Sequence, residues 1–249
     1  MANDEKEPGI FISRTYLISA GVVALIAILG IAVVGTILWP DGETEQPEAA
    51  ASPEGDPPAE AVTAPTYSDS VCDLPASDAT TLDTPPKNTE WEFVGAMQAP
   101  SIPDVGPGII EENGFRRCYA HSPEGALVAA ANVLAMGTDP NLVYDLNDKL
   151  VAKGPGRDAV LEKLETNPPT SEDGVRLSIV GFQLMGYGPN HARIDLAVEG
   201  SNGTLASVTT DLAWEDGDWK VELDPTGQPI IPTAPLTDAF GYLPWSAEG

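Results

Sequence analysis

The sequence predicts an α+β fold in which three helices pack on a curved four-stranded antiparallel sheet. This cone-like domain is preceded by one transmembrane helix and a disordered linker. Three observations predict this arrangement. Residues 16–39 carry no charge, residues 123–166 place apolar residues at helical spacing, and residues 175–223 change to alternation with period two. Helices that precede a run of consecutive strands are typical of α+β layering.

The uncharged run over residues 16–39 is longer than the roughly 20 residues that a helix needs to cross a bilayer. Lys6 and Arg14 precede the run, and the next basic residue is Lys87. The positive-inside rule therefore makes residues 1–15 a cytoplasmic tail and places the rest outside. A cleaved signal peptide is the alternative, but the run is too long and no small-x-small site follows it. We expect a single-pass protein of the cell membrane whose C-terminal domain is extracytoplasmic.

Residues 40–70 are rich in Pro, Glu and Ala and contain few large apolar side chains, which predicts a disordered acidic spacer. The formal net charge of the chain is −26. Direct binding to nucleic acid needs clustered Lys and Arg, so this charge argues against it. It also disfavours docking on anionic lipid head groups. Contact with the bilayer is therefore expected through residues 16–39.

Cys72 and Cys118 are the only cysteines, and both lie on the side predicted to be outside. Such pairs usually oxidise, so we expect a disulfide that clamps the irregular segment 71–121 onto the domain. The alternative makes Cys118 a nucleophile with His121 as its base, which requires spatial contact and an orienting third group. We expect the disulfide, and no catalytic, cofactor-binding or metal-binding residue. Residues 90–97 are the one strand expected within the clamped segment.

Ser122-Pro123 predicts the start of the first helix, because Ser is a favoured N-cap and Pro fits the first helical position. This helix is expected over residues 123–136, with a face of small residues and a stop at Gly137. His121 is expected to cap or pack at the helix start. The second and third helices are expected over residues 140–152 and 157–166.

Four strands follow these helices and complete the predicted domain, residues 122–224. The first is expected over residues 175–187, with a bend at Gly181, and the second over residues 191–200. The last two flank the turn Glu215–Asp218, whose Asp-Gly pair is a strong hairpin signal.

The hairpin "WEDGDWKVEL" (214–223) resembles the last strands of the cone-shaped fold of nuclear transport factor two and ketosteroid isomerase. This resemblance covers roughly residues 122–224 and implies a cone. Enzymes of that fold place an Asp, His or Tyr inside it. Here Asp195 lies on the polar phase of its strand and His191 lies at a strand edge, so the sequence offers no convincing acid–base set.

The expected order of anchor, spacer and outside cone resembles the bitopic scaffold subunits of type IV secretion and conjugation machines. "CYAHSPEGALVAAAN" (118–132) and "GYLPWS" (241–246) also resemble an uncharacterised membrane-protein family of actinobacterial conjugative elements. These resemblances imply a non-enzymatic assembly subunit of a conjugative transfer complex. It would contact other membrane subunits or further copies of itself, without a cofactor and without touching DNA. The alternative is a membrane-anchored extracytoplasmic domain that binds a small ligand or protein, and a hydrolase or isomerase is a third reading.

The Pro-rich tail, residues 225–249, ends in an apolar cluster that would be costly to expose. We expect this tail to dock on the domain, although contact with a partner is the alternative. The candidate partner contacts are His121, Phe240, Tyr242 and Trp245.

Overall fold

A mixed sheet of eight strands is the frame of the part of the chain that the structure describes. The structure is a computed structural model that describes residues 68–170 and 176–248. The predicted cytoplasmic tail and transmembrane helix lie outside these residues, as does the predicted linker except residues 68–70. Within the two described ranges, no helix combines the length and apolar character needed to cross a bilayer.

The described residues form ten strands and three helices, which are numbered in chain order. The strands are β1 (Glu90–Val94), β2 (Met97–Ser101), β3 (Ile109–Ile110), β4 (Arg116–Arg117), β5 (Leu177–Gly188), β6 (His191–Gly200), β7 (Leu205–Glu215), β8 (Asp218–Val221), β9 (Ala234–Leu236) and β10 (Leu243–Pro244). The helices lie between β4 and β5 and are α1 (Pro123–Gly137), α2 (Val143–Lys149) and α3 (Pro155–Thr166).

The sheet has the order β1-β2-β5-β6-β7-β8, and it curls into a half-barrel. β10 also pairs with β5, and β9 also pairs with β7. The ladders from β5 to β8 are antiparallel, whereas β2 joins β5 in parallel through Met97 and Leu177. β3 and β4 form a separate two-stranded ladder.

The predicted four-stranded antiparallel sheet is wrong, because β1, β2, β9 and β10 also belong to the sheet. The sequence predicts one strand over residues 90–97, but Gly95 has a φ of 58° and turns the chain between β1 and β2. β9 and β10 contain only three and two residues, and each includes a proline. Such short segments carry no readable alternation, so their pairing comes from tertiary packing.

The meander from β5 to β8 lies where the sequence predicts strands. β6 has the predicted bounds, and the register of β5 shifts between Ile179 and Gly181, where a bend is expected. Asp216 and Gly217 have φ values of 53° and 75° in the turn between β7 and β8. Two consecutive positive φ angles are what a type I′ hairpin turn requires.

α1 begins at Pro123, as predicted, because Ser122 caps it. The backbone N–H of Gly125 donates to the Ser122 hydroxyl at 3.0 Å, and Glu124 stands in the first turn. α2 begins three residues later than predicted, because the Asp139 carboxylate accepts from the backbone N–H of Asn141 at 2.9 Å and holds a turn there. α3 begins at Pro155, two residues before the predicted start.

The small-residue face of α1 packs into the curled sheet. This helix contacts β2, β5, β6, β7 and β8, and its alanines at 126, 129, 130 and 131 are fully buried. Short side chains let the helix axis approach the strands closely. Large side chains fill the space around it, and the fully buried aromatic ones are Phe115, Tyr119, Phe182 and Trp219.

The two glycines of α1 test how closely the start of the helix packs against the chain that precedes it. A Cβ atom added at Gly125 would lie 1.9 Å from the carbonyl oxygen of Ala120, whereas one added at Gly137 would meet its nearest atom, in Leu146, at 3.9 Å. We expect Gly125→Ala to lower the free energy of unfolding by about 2 kcal/mol. Gly137→Ala is the matched control and should be neutral or stabilising by up to about 1 kcal/mol. Urea unfolding of both variants measures the difference in stability. Equal unfolding midpoints would contradict the close packing of Gly125 against Ala120.

Candidate functional site

The disulfide predicted from the sequence is confirmed. Cys72 and Cys118 are bonded, with their Cα atoms 6.3 Å apart. The bond therefore leaves neither sulfur available as a thiolate nucleophile. Cys118 has a φ of 69°, a left-handed conformation that a non-glycine residue adopts only when its surroundings hold it there.

A buried carboxylate holds Cys118 in this conformation. Asp218, at the start of β8, is 3% exposed. One of its oxygens accepts from the backbone N–H of Cys118 at 3.0 Å. The other accepts from the backbone N–H groups of Tyr119 and Trp219 at 3.0 and 2.9 Å. Asp218 thus joins the disulfide-clamped segment directly to the hairpin between β7 and β8.

The electrostatics of Asp218 combine opposing effects. Burial raises the pKa of the carboxyl group, while the Lys220 ammonium at 3.5 Å and the backbone N–H donors oppose that rise. Both carboxylate oxygens accept hydrogen bonds from main-chain groups whose positions are fixed by the fold, so the role that these contacts indicate is structural. Asp218 acts as a clamp, by which we mean that it holds the segment at Cys118 and Tyr119 against the final hairpin.

His121 packs beside this clamp and is 3% exposed. Its ring stacks on Trp214 at a centroid distance of 3.9 Å and meets Trp219 edge-on at 5.6 Å. Nδ1 lies 3.1 Å from the carbonyl oxygen of Ser68, and Nε2 lies 2.6 Å from that of Pro189. His121 therefore ties the start of the described chain to the β5–β6 turn and to the final hairpin, and its ring is covered by these contacts.

The C-terminal residues lie across the sheet as a strap, which we define as residues 238–245. The strap leaves β9 at the edge of β7 and ends in β10 at the edge of β5. Between these strands, Gln183 Nε2 donates to the carbonyl oxygen of Gly241 at 2.9 Å. The Tyr242 hydroxyl donates to the Asp195 carboxylate at 2.6 Å.

Asp195 is the anchor of the strap. It alternates along β6 with Ile194 and Leu196, which belong to the core, so its side chain lies on the opposite face of the sheet. Besides Tyr242, its carboxylate accepts from the hydroxyls of Ser207 at 2.7 Å and Thr209 at 3.2 Å. Burial, and then this hydrogen bond to Asp195, raise the pKa of Tyr242.

The other two strap aromatics differ in exposure. Trp245 is buried, with its ring 4.9 Å from Trp91 and 5.8 Å from Phe182. Phe240 is 93% exposed, although its backbone N–H donates to the Asp238 carboxylate at 2.9 Å. The tail therefore docks through Tyr242 and Trp245 and presents Phe240 outward.

Two surface grooves are lined in part by C-terminal residues, one by strap residues and the other by residues 246–248 that follow the strap. The first, which we call the strap groove, has a volume of about 430 Å³ and lies between residues 80–83, β5 and the strap residues Gly241 and Leu243. The second has a volume of about 550 Å³, and its lining includes Trp91, Arg176 and Glu199. Across residues 68–170 and 176–248, no group of three His, Cys, Asp or Glu side chains is placed to hold a metal ion.

Residues 51–244 match the family described as Domain of unknown function (DUF8175). The chain belongs to this family. No curated protein and no solved structure matches the chain significantly. The DUF8175 match takes in the disulfide, α1, the whole meander and the strap as far as β10, so the strap lies within the family domain rather than appended to it.

The candidate contact residues predicted from the sequence lie at two different places in the structure. His121 lies with the disulfide at the α1 junction, whereas Phe240, Tyr242 and Trp245 lie on the strap. Sequence reasoning missed the roles of Asp218 and Asp195. From the sequence, Asp218 is an ordinary turn residue, because two of its main-chain donors are about 100 positions away. Asp195 is only a residue on the polar phase of its strand.

Asparagine substitution at the turn tests the Asp218 clamp. In Asp218→Asn, one of the two accepting oxygens becomes an NH₂ group that faces a backbone donor. We expect the free energy of unfolding to fall by about 2 kcal/mol. Asp216→Asn is the control, because Asp216 forms a solvent-exposed ion pair with Lys153, and its effect on stability should be clearly smaller than that of Asp218→Asn. Chemical denaturation compares the variants, and equal losses would show that Asp218 is no clamp.

The Tyr242 anchor predicts a pH dependence. Tyr242→Phe removes the bond to Asp195 and should lower the free energy of unfolding by about 1 kcal/mol at pH 7. Folding raises the pKa of Tyr242. Its hydroxyl therefore contributes fully to the stability of the fold below the ordinary tyrosine pKa of about 10, and this contribution is lost as the pH rises through the pKa of Tyr242 in the folded protein. The gap between wild type and Tyr242→Phe should therefore narrow above about pH 10.

Urea unfolding at a series of pH values measures this gap. Tyr144→Phe, at a half-exposed position on α2, controls for the loss of a tyrosine hydroxyl. A gap that stays constant as the pH rises would contradict the assigned role of the hydroxyl.

Proposed function

We propose that this chain is a non-enzymatic assembly subunit that works outside the cytoplasm through protein contacts on the outer surface of its domain. The observation that carries the proposal is the filled concave face of the sheet. α1 and four fully buried aromatic rings occupy the space in which a cone-shaped enzyme keeps its substrate. Binding therefore falls to the outer surface, where the strap presents an exposed aromatic side chain.

The disulfide supports the location. Paired cysteines persist in oxidising compartments and are rare in the cytosol, and both sulfurs are bonded here. This agrees with the topology proposed from the sequence, in which residues 16–39 anchor the protein in the cell membrane with the N-terminus in the cytoplasm. The net charge of −26 supports contact with proteins rather than with nucleic acid.

Within this proposal, the partners are other membrane subunits of a conjugative transfer complex of the type IV secretion kind, or further copies of the chain. The support for this finer assignment is the resemblance of residues 118–132 and 241–246 to proteins of conjugative elements. A coupling or secretion ATPase among the partners is its expected signature.

A second candidate function is the binding of a small ligand by the extracytoplasmic domain. The groove of about 550 Å³ favours it, because its size suits a small molecule and its lining includes both the cation Arg176 and the aromatic residue Trp91. This candidate uses the surface of the domain rather than the interior of the sheet.

Isolation of the full chain from its own cells tests the proposal. The tagged protein is cross-linked in intact cells, extracted in detergent, sized by chromatography and identified with its partners by mass spectrometry. We expect a complex with specific membrane proteins. The control is a chain whose residues 71–249 are replaced by an unrelated domain, which reveals partners recruited by the N-terminal segment alone.

A lone monomer, or partners identical to those of the control chain, would overturn the proposed assembly role. A complex without transfer or secretion proteins would retain the interaction role and remove the conjugative assignment. A small molecule that copurifies with a monomeric chain would instead establish the second candidate.

A further inference from the structure

Phe240 is unusual because its side chain is 93% exposed while its backbone is held in place. Its own N–H donates to Asp238 at 2.9 Å, and the N–H of Tyr242 donates to the carbonyl oxygen of Ala239 at 3.2 Å. Gln183 holds Gly241 from β5. Exposed aromatic rings on fixed backbone are typical anchors of protein interfaces, because little conformational freedom is lost on binding.

The turn that presents Phe240 depends on the glycine that follows it. Gly241 has a φ of 92°, which residues with a Cβ rarely adopt, and a Cβ there would lie 3.3 Å from Gln183 Nε2. The next residue, Tyr242, is fixed by Asp195 on the far side of the turn. The strap therefore bends sharply and is held to the sheet directly after Phe240, which leaves the ring directed away from the domain.

The strap groove lies next to this turn and supplies a surface of mixed character. Leu82 and Leu184 contribute apolar side chains to its walls, and Thr80 and Asp83 contribute polar ones. A volume of about 430 Å³ is enough for one or two side chains of a bound peptide segment. Phe240 and the groove thus offer a projecting anchor beside a depression.

The two chain segments that contribute residues 80–83, Gly241 and Leu243 to the strap groove are acidic in sequence, although Lys163 lies near Asp224 in the second of them. Residues 73–86 contain three Asp and no Lys or Arg, and residues 221–248 contain two Glu, two Asp and no Lys or Arg. Asp83 lines the groove itself, and Asp238 holds the Phe240 turn. No Lys or Arg is among the residues that line the groove, and acidic groups favour a basic partner and speed its encounter.

We propose that Phe240 and the strap groove form the docking surface for a basic segment of another protein, which carries Lys or Arg beside large apolar side chains. This inference rests on the proposed function and specifies the partner's chemistry. The same charges disfavour the other occupants. An anionic bilayer repels the acidic segments, and a second copy of the chain presents the same negative charge.

Site-specific photo-cross-linking tests the inference in the full chain within its own cells. Phe240 is replaced by p-benzoylphenylalanine, which preserves an aromatic ring, and Tyr144 on α2 is replaced in a matched control because it is also an exposed aromatic residue. After irradiation, mass spectrometry maps the segment attached to each position. We expect position 240 to attach to a segment of net positive charge that contains large apolar residues.

The mapped segment, made as a synthetic peptide, then measures the contribution of each group. Phe240→Ala should weaken its binding to the purified full chain about tenfold, whereas Tyr144→Ala should leave binding unchanged. Asp83→Asn and Asp238→Asn should each weaken binding about threefold and reduce its dependence on salt. Because Phe240 lies outside the core, Phe240→Ala should keep the wild-type unfolding midpoint, which confirms that the fold is intact.

Cross-links from position 240 to lipid, to a second copy, or to an acidic segment would overturn the inference. An unchanged affinity of Phe240→Ala would do so as well. If position 144 attaches to a partner and position 240 does not, the interaction role stands and this docking surface is refuted. If neither position attaches to a partner and the chain is isolated as a monomer, both proposals fail.

Discussion

The buried carboxylate of Asp218 is the interaction on which the arrangement of this domain depends. It accepts main-chain hydrogen bonds from Cys118 and Tyr119, about 100 positions earlier in the chain, and from its own neighbour Trp219. These bonds fix the left-handed backbone at Cys118, and α1 starts five residues later. The final hairpin is therefore hydrogen-bonded directly to the segment that leads into the helix that fills the sheet.

Because α1 and large side chains fill the inner face of the sheet, we propose that partners are bound on its outer face. The alanine face of α1 allows the helix to sit deep in the curled strands, and the aromatic core closes around it. On the other face, Asp195 gathers hydroxyl donors from β7 and from the strap. The hydrogen bond from Tyr242 to Asp195 thus helps to hold the strap on the sheet, and the strap carries the exposed ring of Phe240.

Local patterns in the sequence were enough to predict the helices and the meander. Ser122-Pro123 marks the start of α1, Asp216-Gly217 marks the last hairpin, and strict alternation marks β6. The predicted location also sufficed for the disulfide, since two cysteines expected outside the cytoplasm have one pairing available. In each case the signal lies within a few residues or in the cysteine count alone.

The rest depends on contacts between distant positions, which leave no local pattern. Met97 pairs with Leu177 in parallel, and β10 reaches β5 from the end of the chain. Tyr242 reaches Asp195 across 47 positions, so neither residue carries a signal of the other. The four-stranded prediction therefore missed the strands whose pairing is set by packing, and with them the path that the docked tail takes across the sheet.

The disulfide also determines how mechanical force enters the domain. Tension transmitted from the N-terminal side reaches Cys72 and passes through the covalent bond to Cys118, which bypasses the 45 residues between them. From Cys118 it is shared with the Asp218 hydrogen bonds and with α1. Residues 73–117, which include β1 and β2 of the sheet, are thus shielded from this tension. A force applied on the N-terminal side of Cys72 is therefore not expected to draw β1 and β2 out of the sheet.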